Sequence, residues 1–346
     1  MPEGEHADPV QPPALVVLTG ASGFLARHVA QRLLVVGYRV RATLRTPSRE
    51  GEVRAAVLPG LPADAEGRLG FAQADLGRDE GWAEALAGAE ALVHTASPFP
   101  LSQPRDRDAL ARPAVGGTRR ALHAAAAAGV RRVVLTSSVV AIRHEGPPEV
   151  QDERDWADPE AATATPYLRS KVLAERAAWD LAREEGLDLT VINPGFILGP
   201  ILGEAAGTSA DLVARLLKGR DPMLPNIRFV AVDARDVAAA HVLPLSRPAT
   251  AGERIAAAAG DLSFPDMARV LKDAYPGRRI TTRVAPDWLI RAMSLAVADL
   301  RPAVPLLGVP QAVSNAKARA LLGLDFIPPE EALRATARSL IERGLA

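Results

Sequence analysis

The sequence predicts an α/β fold: a doubly wound parallel sheet followed by a smaller, mostly helical lobe. Short β-branched runs alternate with longer helical patterns between residues 14 and 193, and this alternation is typical of right-handed βαβ crossovers. After Asn193 the alternation stops, and prolines separate several helical patterns. We therefore expect a disordered extension (1–13), a sheet domain (14–193) and a substrate lobe (194–346). Residues 225–245 are the part of this lobe that could instead contribute to the sheet domain.

The elements of the sheet domain follow from hydrophobic pattern and length. Strands are predicted at 14–19, 38–44, 69–73, 91–95, 132–136 and 187–192, and helices at 23–36, 80–86, 112–128 and 166–185. A parallel sheet covered by helices on both faces is a Rossmann-type sheet, which binds ligands outside the carboxyl ends of its strands. In the second lobe, helices are predicted at 209–217, 264–274, 286–298 and 329–341.

Composition excludes several kinds of protein. The 346 residues carry 41 basic and 41 acidic side chains, so there is no overall attraction to nucleic acid or to an anionic membrane. Cysteine is absent, which excludes disulfides, thiolate metal sites and a cysteine nucleophile. The sequence has no signal-peptide pattern and no apolar run long enough to span a membrane. We expect a cytoplasmic protein without a metal, as a monomer or homodimer.

A glycine loop follows the first predicted strand. The run from Thr19 to Ala26 reads TGASGFLA and lies between a strand and a helix, where dinucleotide-binding turns occur. Glycines let backbone N–H groups approach a pyrophosphate at the helix N-terminus, and the last small residue allows helix–strand packing. We therefore expect Gly20, Ser22 and Gly23 to bind a dinucleotide.

The end of the second strand indicates which dinucleotide. An acidic residue there favours NAD, but this chain carries Arg45, with Arg49 nearby. Arginine can pair with a 2′-phosphate through two parallel hydrogen bonds, so NADP is favoured and NAD is the alternative. Asp75, after the third strand, either accepts from the adenine amino group or caps a helix.

The segment Thr165–Lys171 reads TPYLRSK and carries the clearest chemical pattern. Threonine suits a helix N-cap and proline the first helical position, which places Tyr167 and Lys171 on one helix face. The chain has three tyrosines and four lysines, so this spacing is seldom met by chance. A tyrosine with a pKa near 10 transfers protons poorly at neutral pH, and a neighbouring ammonium lowers that pKa.

A hydroxyl should also hold the substrate oxygen as its charge develops. The fifth predicted strand ends in TSS. Ser138 is the candidate, and Ser137 is the alternative.

These motifs together resemble the extended short-chain dehydrogenase/reductases, in particular the dihydroflavonol reductase and cinnamoyl-CoA reductase branch. TGASGFLA, YLRSK, the NPG at 193–195 and the DARDVA at 233–238 carry the resemblance. It implies an NADPH-dependent carbonyl reductase for aldehydes or ketones with hydrophobic substituents, with Ser138, Tyr167 and Lys171 as the catalytic triad. Further cofactor contacts that it implies are Phe24, Leu25, Leu76, Thr95, Ala96, Ser97, Pro194, Ile197 and Ser209. Tyr167 and Lys171 are also expected to contact the cofactor, Lys171 through a hydrogen bond to the nicotinamide ribose. Glu52, where the plant enzymes carry a basic residue, departs from the pattern.

Other interpretations share parts of this pattern. A nucleotide-sugar epimerase or dehydratase and a 3β-hydroxysteroid dehydrogenase-like enzyme share the triad, and a non-enzymatic dinucleotide-sensing regulator shares the fold. His94 and His144 lack partners at metal-ligand spacing, and His241 is expected to be structural, with Asp236 as the helix cap. Residues 97–101 and 139–142 are expected to shape an apolar substrate pocket.

Overall fold

The computed structural model describes residues 8–97, 106–143, 150–204, 207–296, 304, 306–310 and 312–346. Ten strands are named in this part of the chain. They are β1 (Leu15–Thr19), β2 (Arg39–Leu44), β3 (Leu69–Gln73), β4 (Ala91–His94), β5 (Arg132–Thr136), β6 (Asp188–Pro194), β7 (Phe196–Leu198), β8 (Arg228–Asp233), β9 (Arg254–Ala257) and β10 (Gly260–Ser263).

Eleven α-helices accompany these strands within the described ranges. They are α1 (Phe24–Val36), α2 (Glu50–Val57), α3 (Trp82–Leu86), α4 (Ala111–Ala127), α5 (Pro166–Glu185), α6 (Gly207–Leu217), α7 (Ala234–Val242), α8 (Phe264–Ala274), α9 (Asp287–Ala296), α10 (Ala316–Leu322) and α11 (Pro329–Glu342).

The main sheet has seven strands in the order β3-β2-β1-β4-β5-β6-β9, and every pairing in it is parallel. The predicted doubly wound parallel sheet is confirmed. The chain runs outward in one direction from β1 and in the other from β4, so their carboxyl ends form the switch point where such sheets bind ligands.

Helices cover both faces of this sheet. On one face α1 packs against α7, and on the other α4 packs against α5. Val16 and Val17, neighbours in β1, are both fully buried, each in a different apolar cluster. A strand that is buried on both faces has an apolar run and no alternation, which is why the central strands could be recognised in the sequence.

Two boundaries differ from the prediction. Val10 is buried, its N–H donates to the carbonyl of Leu245 at 2.9 Å, and its carbonyl accepts from the Tyr38 hydroxyl at 2.8 Å. The expected disordered extension over 1–13 is therefore wrong for the segment around Val10, because an apolar side chain there packs on the sheet domain. Residues 1–7 lie outside the described part of the chain.

The predicted division at residue 193 is also too simple. The chain returns to the main sheet with β9, and α7 packs on α1. Within 225–245, α7 packs on the sheet domain, whereas β8 belongs to a second sheet of order β10-β8-β7. The second lobe has its own apolar cluster, to which α6, α8 and α11 contribute. The chain after residue 193 therefore contributes to the sheet domain as well as to the second lobe.

Candidate active site

The glycine loop is shaped by two close contacts. Gly20 has a φ of +74°, and a Cβ at this position would lie 2.9 Å from Ala96 Cα. Gly23 precedes α1, and a Cβ there would lie 3.2 Å from the carbonyl oxygen of Gly20. No side chain caps α1, and a helix start of this kind offers backbone N–H donors to an anion. The loop therefore fits a phosphate group.

Replacement of Gly20 by Ala should lower the melting temperature more than the same replacement at Gly129. Both residues have nearly equal positive φ values, +74° and +77°, but a Cβ at Gly129 meets nothing within 4 Å. Backbone strain in this region costs roughly 1–2 kcal/mol in both variants, so the difference between them measures the contact with Ala96. Differential scanning fluorimetry of both variants is the measurement. Equal melting temperatures would contradict the close contact between residue 20 and Ala96.

A cavity of about 600 Å³ lies above this loop at the switch point. Nine of the predicted cofactor residues line it: Gly20, Ser22, Gly23, Arg45, Asp75, Leu76, Thr95, Ala96 and Ser97. Its volume is within the range of roughly 300–1,000 Å³ that is typical of ligand pockets. These nine residues therefore form one wall of the cavity, and their contacts with a cofactor stay predictions.

The opposite wall was not predicted. It is formed by the first turns of α4, where Gly116 and Gly117 line the cavity together with Arg112 and Arg120. A Cβ at Gly117 would lie 2.8 Å from Leu76 Cβ, so this glycine allows α4 to approach the end of β3. Adjacent glycines inside a helical pattern were the signal that could have indicated a close approach.

The arginines after β2 have different environments. Arg45 is exposed and lines the cavity. Arg49 donates to both carboxylate oxygens of Glu52, at 2.7 and 2.9 Å, and the buried Arg27 pairs with the same carboxylate. The hydrogen bond from Arg49, more than that from Arg27, lowers the pKa of Glu52 to about 2. The structure brings Arg45, and not Arg49, to the cavity.

Asp75 also lines the cavity. Its Oδ1 accepts from the Gly77 N–H at 2.8 Å, which is an Asx turn. The alternative role as a helix cap is wrong, because α3 begins after Gly81. The adenine contact stays a prediction.

Thr19 and His94 hold the backbone turn at Thr95 and Ala96, two residues of the cavity wall. The N–H groups of Thr95 and Ala96 both donate to the Thr19 hydroxyl oxygen at 3.1 Å, and this hydroxyl lies 2.8 Å from His94 Nδ1. Burial lowers the pKa of His94 to about 4, an effect to which the charge of Lys171 adds. The neutral ring is thus a structural partner of the loop, as expected of a polar residue at a strand end.

The predicted catalytic helix begins as its sequence indicates. The Thr165 hydroxyl accepts from the Leu168 N–H at 3.1 Å, and Pro166 is the first residue of α5. Tyr167 and Lys171 therefore share one face, with Lys171 Nζ 5.8 Å from the centre of the Tyr167 ring. The Tyr167 hydroxyl is hydrogen-bonded to that of Ser138, so the structure brings all three predicted catalytic residues together.

The serine alternatives are distinguished by their partners. Ser138 caps a short helical turn over Val139–Ala141, with its Oγ accepting from the Val140 N–H at 3.3 Å. Ser137 instead donates its hydroxyl hydrogen bond to Glu175. Ser138, and not Ser137, therefore faces Tyr167.

The pKa of Tyr167 differs from the expectation that a neighbouring ammonium lowers it, because burial has the larger effect and raises it. Burial lowers the pKa of Lys171 to about 8, and the charge of Glu175 opposes that effect. Burial raises the pKa of Tyr167, so its phenol carries a proton at neutral pH. Lys171 Nζ also donates to Ser97 Oγ at 3.2 Å. The ammonium thus connects the proton donor to the wall of the 600 Å³ cavity.

Comparison with known proteins identifies the family. Residues 16–258 match the profile of the NAD dependent epimerase/dehydratase family. The chain belongs to this family.

Within the family, its relatives include reductases. The chain is 35% identical to cinnamoyl-CoA reductase 1 of Petunia hybrida over 335 residues, which cover 95% of this chain and 93% of that protein. It is 33% identical to dihydroflavonol 4-reductase of Zea mays over 271 residues, covering 75% and 74%. The structure of Gre2 from Candida albicans in complex with NADPH superposes with a TM-score of 0.79 at 27% identity, covering 95% of this chain and 99% of that one. The resemblance inferred from the motifs is confirmed.

Seven expected cofactor contacts do not line the 600 Å³ cavity. Two of them are Tyr167 and Lys171, whose contacts with the cofactor stay predictions. The other five lie elsewhere. Leu25 and Ile197 pack against the apolar core of the sheet domain, and Phe24 packs against that of the second lobe. Pro194 ends β6, with its carbonyl 3.5 Å from the Ser138 hydroxyl, and Ser209 is a half-buried residue of α6. All five stay predictions.

Some expected features of the surroundings need correction. Ala141 and Ile142 are fully buried, so most of 139–142 is core and does not line a pocket. The cap of α7 is Asp233, whose carboxylate accepts from the Arg235 N–H, while Asp236 accepts from the Ile327 N–H at 2.8 Å. His144 and the predicted pocket residues 98–101 lie outside the described part of the chain.

Buried His241 is structural, as expected. Its Nε2 lies 2.7 Å from the Thr136 hydroxyl oxygen, and its Nδ1 lies 2.7 Å from the carbonyl oxygen of Val237. Over the described ranges, His, Asp and Glu side chains form no group of three that could hold a metal ion. Over the same ranges, no helix combines the length and apolarity that a membrane span requires.

Proposed function

We propose that this protein is an NADPH-dependent carbonyl reductase for aldehydes or ketones with hydrophobic substituents. The observation that carries the proposal is the grouping of three side chains: Tyr167 is hydrogen-bonded to Ser138, and Lys171 Nζ lies 5.8 Å from the centre of the tyrosine ring. Lys171 also bonds to Ser97, which lines a cavity with a glycine loop at its base. The named reductases among the relatives support a reduction, and the similarity to cinnamoyl-CoA and dihydroflavonol reductases supports a hydrophobic substrate.

The residues of the cavity fit NADPH. The loop keeps its shape because neither Gly20 nor Gly23 has a side chain that would meet Ala96 or the Gly20 carbonyl. The start of α1 beside it, which has no side-chain cap, can offer N–H donors to a pyrophosphate. Arg45 lines the cavity at the carboxyl end of β2, which supports its proposed pairing with the 2′-phosphate of NADPH. NADPH, when bound, supplies a hydride to the carbonyl carbon.

The side chains complete the reduction. Tyr167 donates its phenolic proton to the carbonyl oxygen, so that hydride and proton together convert C=O to CH–OH. Ser138 donates a hydrogen bond to the same oxygen and stabilises its developing charge. The Lys171 ammonium stabilises the phenolate that Tyr167 becomes, and solvent then returns the proton.

A substrate panel tests the proposal. Oxidation of NADPH and of NADH should be followed with aldehydes, diketones, ketoesters and flavanonols, and the alcohol product identified by mass spectrometry. We expect turnover with members of the panel and a preference for NADPH. Protein that holds NAD through purification, converts a UDP-sugar and reduces no carbonyl would instead be an epimerase or dehydratase.

A further inference from the structure

A buried ion pair lies directly behind the catalytic side chains. Glu175 follows Lys171 by one turn of α5, and its side chain is fully buried. Arg254, the first residue of β9, donates from Nε to Glu175 Oε1 at 2.5 Å. Because removal of a carboxylate from water costs several kcal/mol, this side chain depends on the partners that surround it.

The other oxygen of Glu175 is connected to the catalytic serine. Oε2 accepts from the Ser137 hydroxyl and from Asn193 Nδ2, the latter at 2.9 Å. The same Nδ2 donates to the backbone carbonyl of Ser138 at 3.1 Å. One carboxylate thus binds the segment Ser137–Ser138 both directly and through Asn193.

Arg254, the partner of Glu175 on β9, is itself held by the loop before α5. The guanidinium of Arg254 donates to the backbone carbonyls of Glu153 and Asp155 at 2.9 and 2.6 Å. It also lies 3.7 Å from the centre of the Trp156 ring. The carboxylate therefore has a rigid, charged support on the side away from Ser137.

The charge of Glu175 acts on Lys171. In the described part of the chain, three titratable groups face this ammonium: Tyr167 and Glu175 on α5, and His94 on β4. The phenol and the imidazole are both neutral at pH 7 because burial raises the pKa of the first and lowers that of the second to about 4. Glu175 therefore supplies the negative charge that opposes the desolvation of Lys171.

We propose that Glu175 is a positioning residue of this site: its charge keeps Lys171 protonated, and its hydrogen bonds fix the segment that carries Ser138. Its effect on rate rests on the proposed function, but the protonation of Lys171 can be measured without any substrate. Glu175 acts through these two residues and has no assigned contact with substrate or cofactor.

Lysine NMR tests the electrostatic part directly. The chain has four lysines, so protein labelled with ¹³C-lysine gives few Cε signals. The signal that disappears in a Lys171→Met variant is that of Lys171. In Glu175→Gln the pKa of Lys171 should fall by about one unit or more, because an opposite charge nearby is lost. Glu153→Gln is the matched control: this buried carboxylate accepts from the Ala256 N–H and not from Ser137 or Asn193. A Lys171 pKa that is unchanged in Glu175→Gln would overturn the proposal.

A second variant covers the case in which Glu175→Gln does not fold. That substitution leaves Arg254 as a buried charge without its carboxylate, which is strongly destabilising. The double variant Glu175→Gln, Arg254→Met removes both charges together. Arg254 is not among the groups that shift the pKa of Lys171, so the double variant should show the same fall in the Lys171 pKa. An unchanged Lys171 pKa in the folded double variant would equally overturn the proposal.

The pH dependence of activity tests the consequence for rate. Loss of the Lys171 proton should reduce kcat as pH rises through the pKa of that group, so a lower pKa moves the alkaline fall to lower pH. In Glu175→Gln we expect this displacement and a kcat about tenfold lower at neutral pH, with neither effect in Glu153→Gln. A folded Glu175→Gln variant with the wild-type pH profile of kcat would overturn the proposal. If the wild-type protein reduces no carbonyl compound, the proposed function is overturned, and the Lys171 pKa measured by NMR alone tests the role of Glu175.

Discussion

Replacement of Tyr167 by Phe is expected to lower kcat by roughly 10²–10⁴-fold, the contribution typical of a positioned general acid. The phenol is the proton donor in the proposed mechanism, and its hydroxyl is the group that bonds to Ser138. The ring remains in the variant, so packing on α5 should be preserved. Steady-state kinetics with the best carbonyl substrate, and NADPH affinity from fluorescence titration, are the measurements.

The affinity for NADPH should change by less than about threefold in Tyr167→Phe, because the removed proton is used in the chemical step. Tyr275→Phe is the matched control: this tyrosine follows α8 in the second lobe, and kcat should be unaffected there. Near-normal turnover in Tyr167→Phe would exclude the proposed mechanism, and a parallel collapse of NADPH affinity would show that the substitution disturbs the cavity.

Replacement of Arg45 by Gln is expected to raise the KM for NADPH by about 10- to 100-fold, because a charge-assisted pair contributes roughly 1.5–3 kcal/mol. Arg45 lines the cavity at the end of β2, where the 2′-phosphate of NADPH would lie. NADH lacks this phosphate, so its KM should change by less than about threefold. The ratio of the two values is the measurement.

The variant Arg49→Gln distinguishes the contribution of Arg49 to NADPH binding from that of Arg45. Since Arg49 is occupied by Glu52, its replacement should change the KM for NADPH by less than about threefold. Equal losses in the two variants would show that Arg49 leaves Glu52 when the cofactor binds. Equal losses for NADPH and NADH in Arg45→Gln would exclude its assignment to the 2′-phosphate.

The parts of the fold that could be predicted have local signals. The central strands are buried on both faces and therefore appear as apolar runs, and α5 begins at the threonine and proline that suit its first positions. The proximity of the three proposed catalytic residues was predictable for the same reason. Tyr167 and Lys171 are four residues apart on one helix, and Ser138 follows a recognisable strand end.

The second lobe was less predictable. Its small sheet joins β7, β8 and β10 from segments that are separated by several helices. The short strands carry no pattern that distinguishes them from loops. The return of β9 to the main sheet was missed for the same reason, since strand pairing over such distances depends on tertiary contacts and not on propensity.

The sequence by itself determined the doubly wound sheet, the glycine loop and the residue types of the catalytic group, because each depends on neighbours within a few positions along the chain. Only the tertiary structure decided how distant charges pair. It places Glu52 between Arg27 and Arg49, which leaves Arg45 at the cavity, and it pairs Glu175 with Arg254, 79 residues away. Such pairs form because buried charges require partners, and a single sequence does not record which of its many arginines and carboxylates the fold brings together.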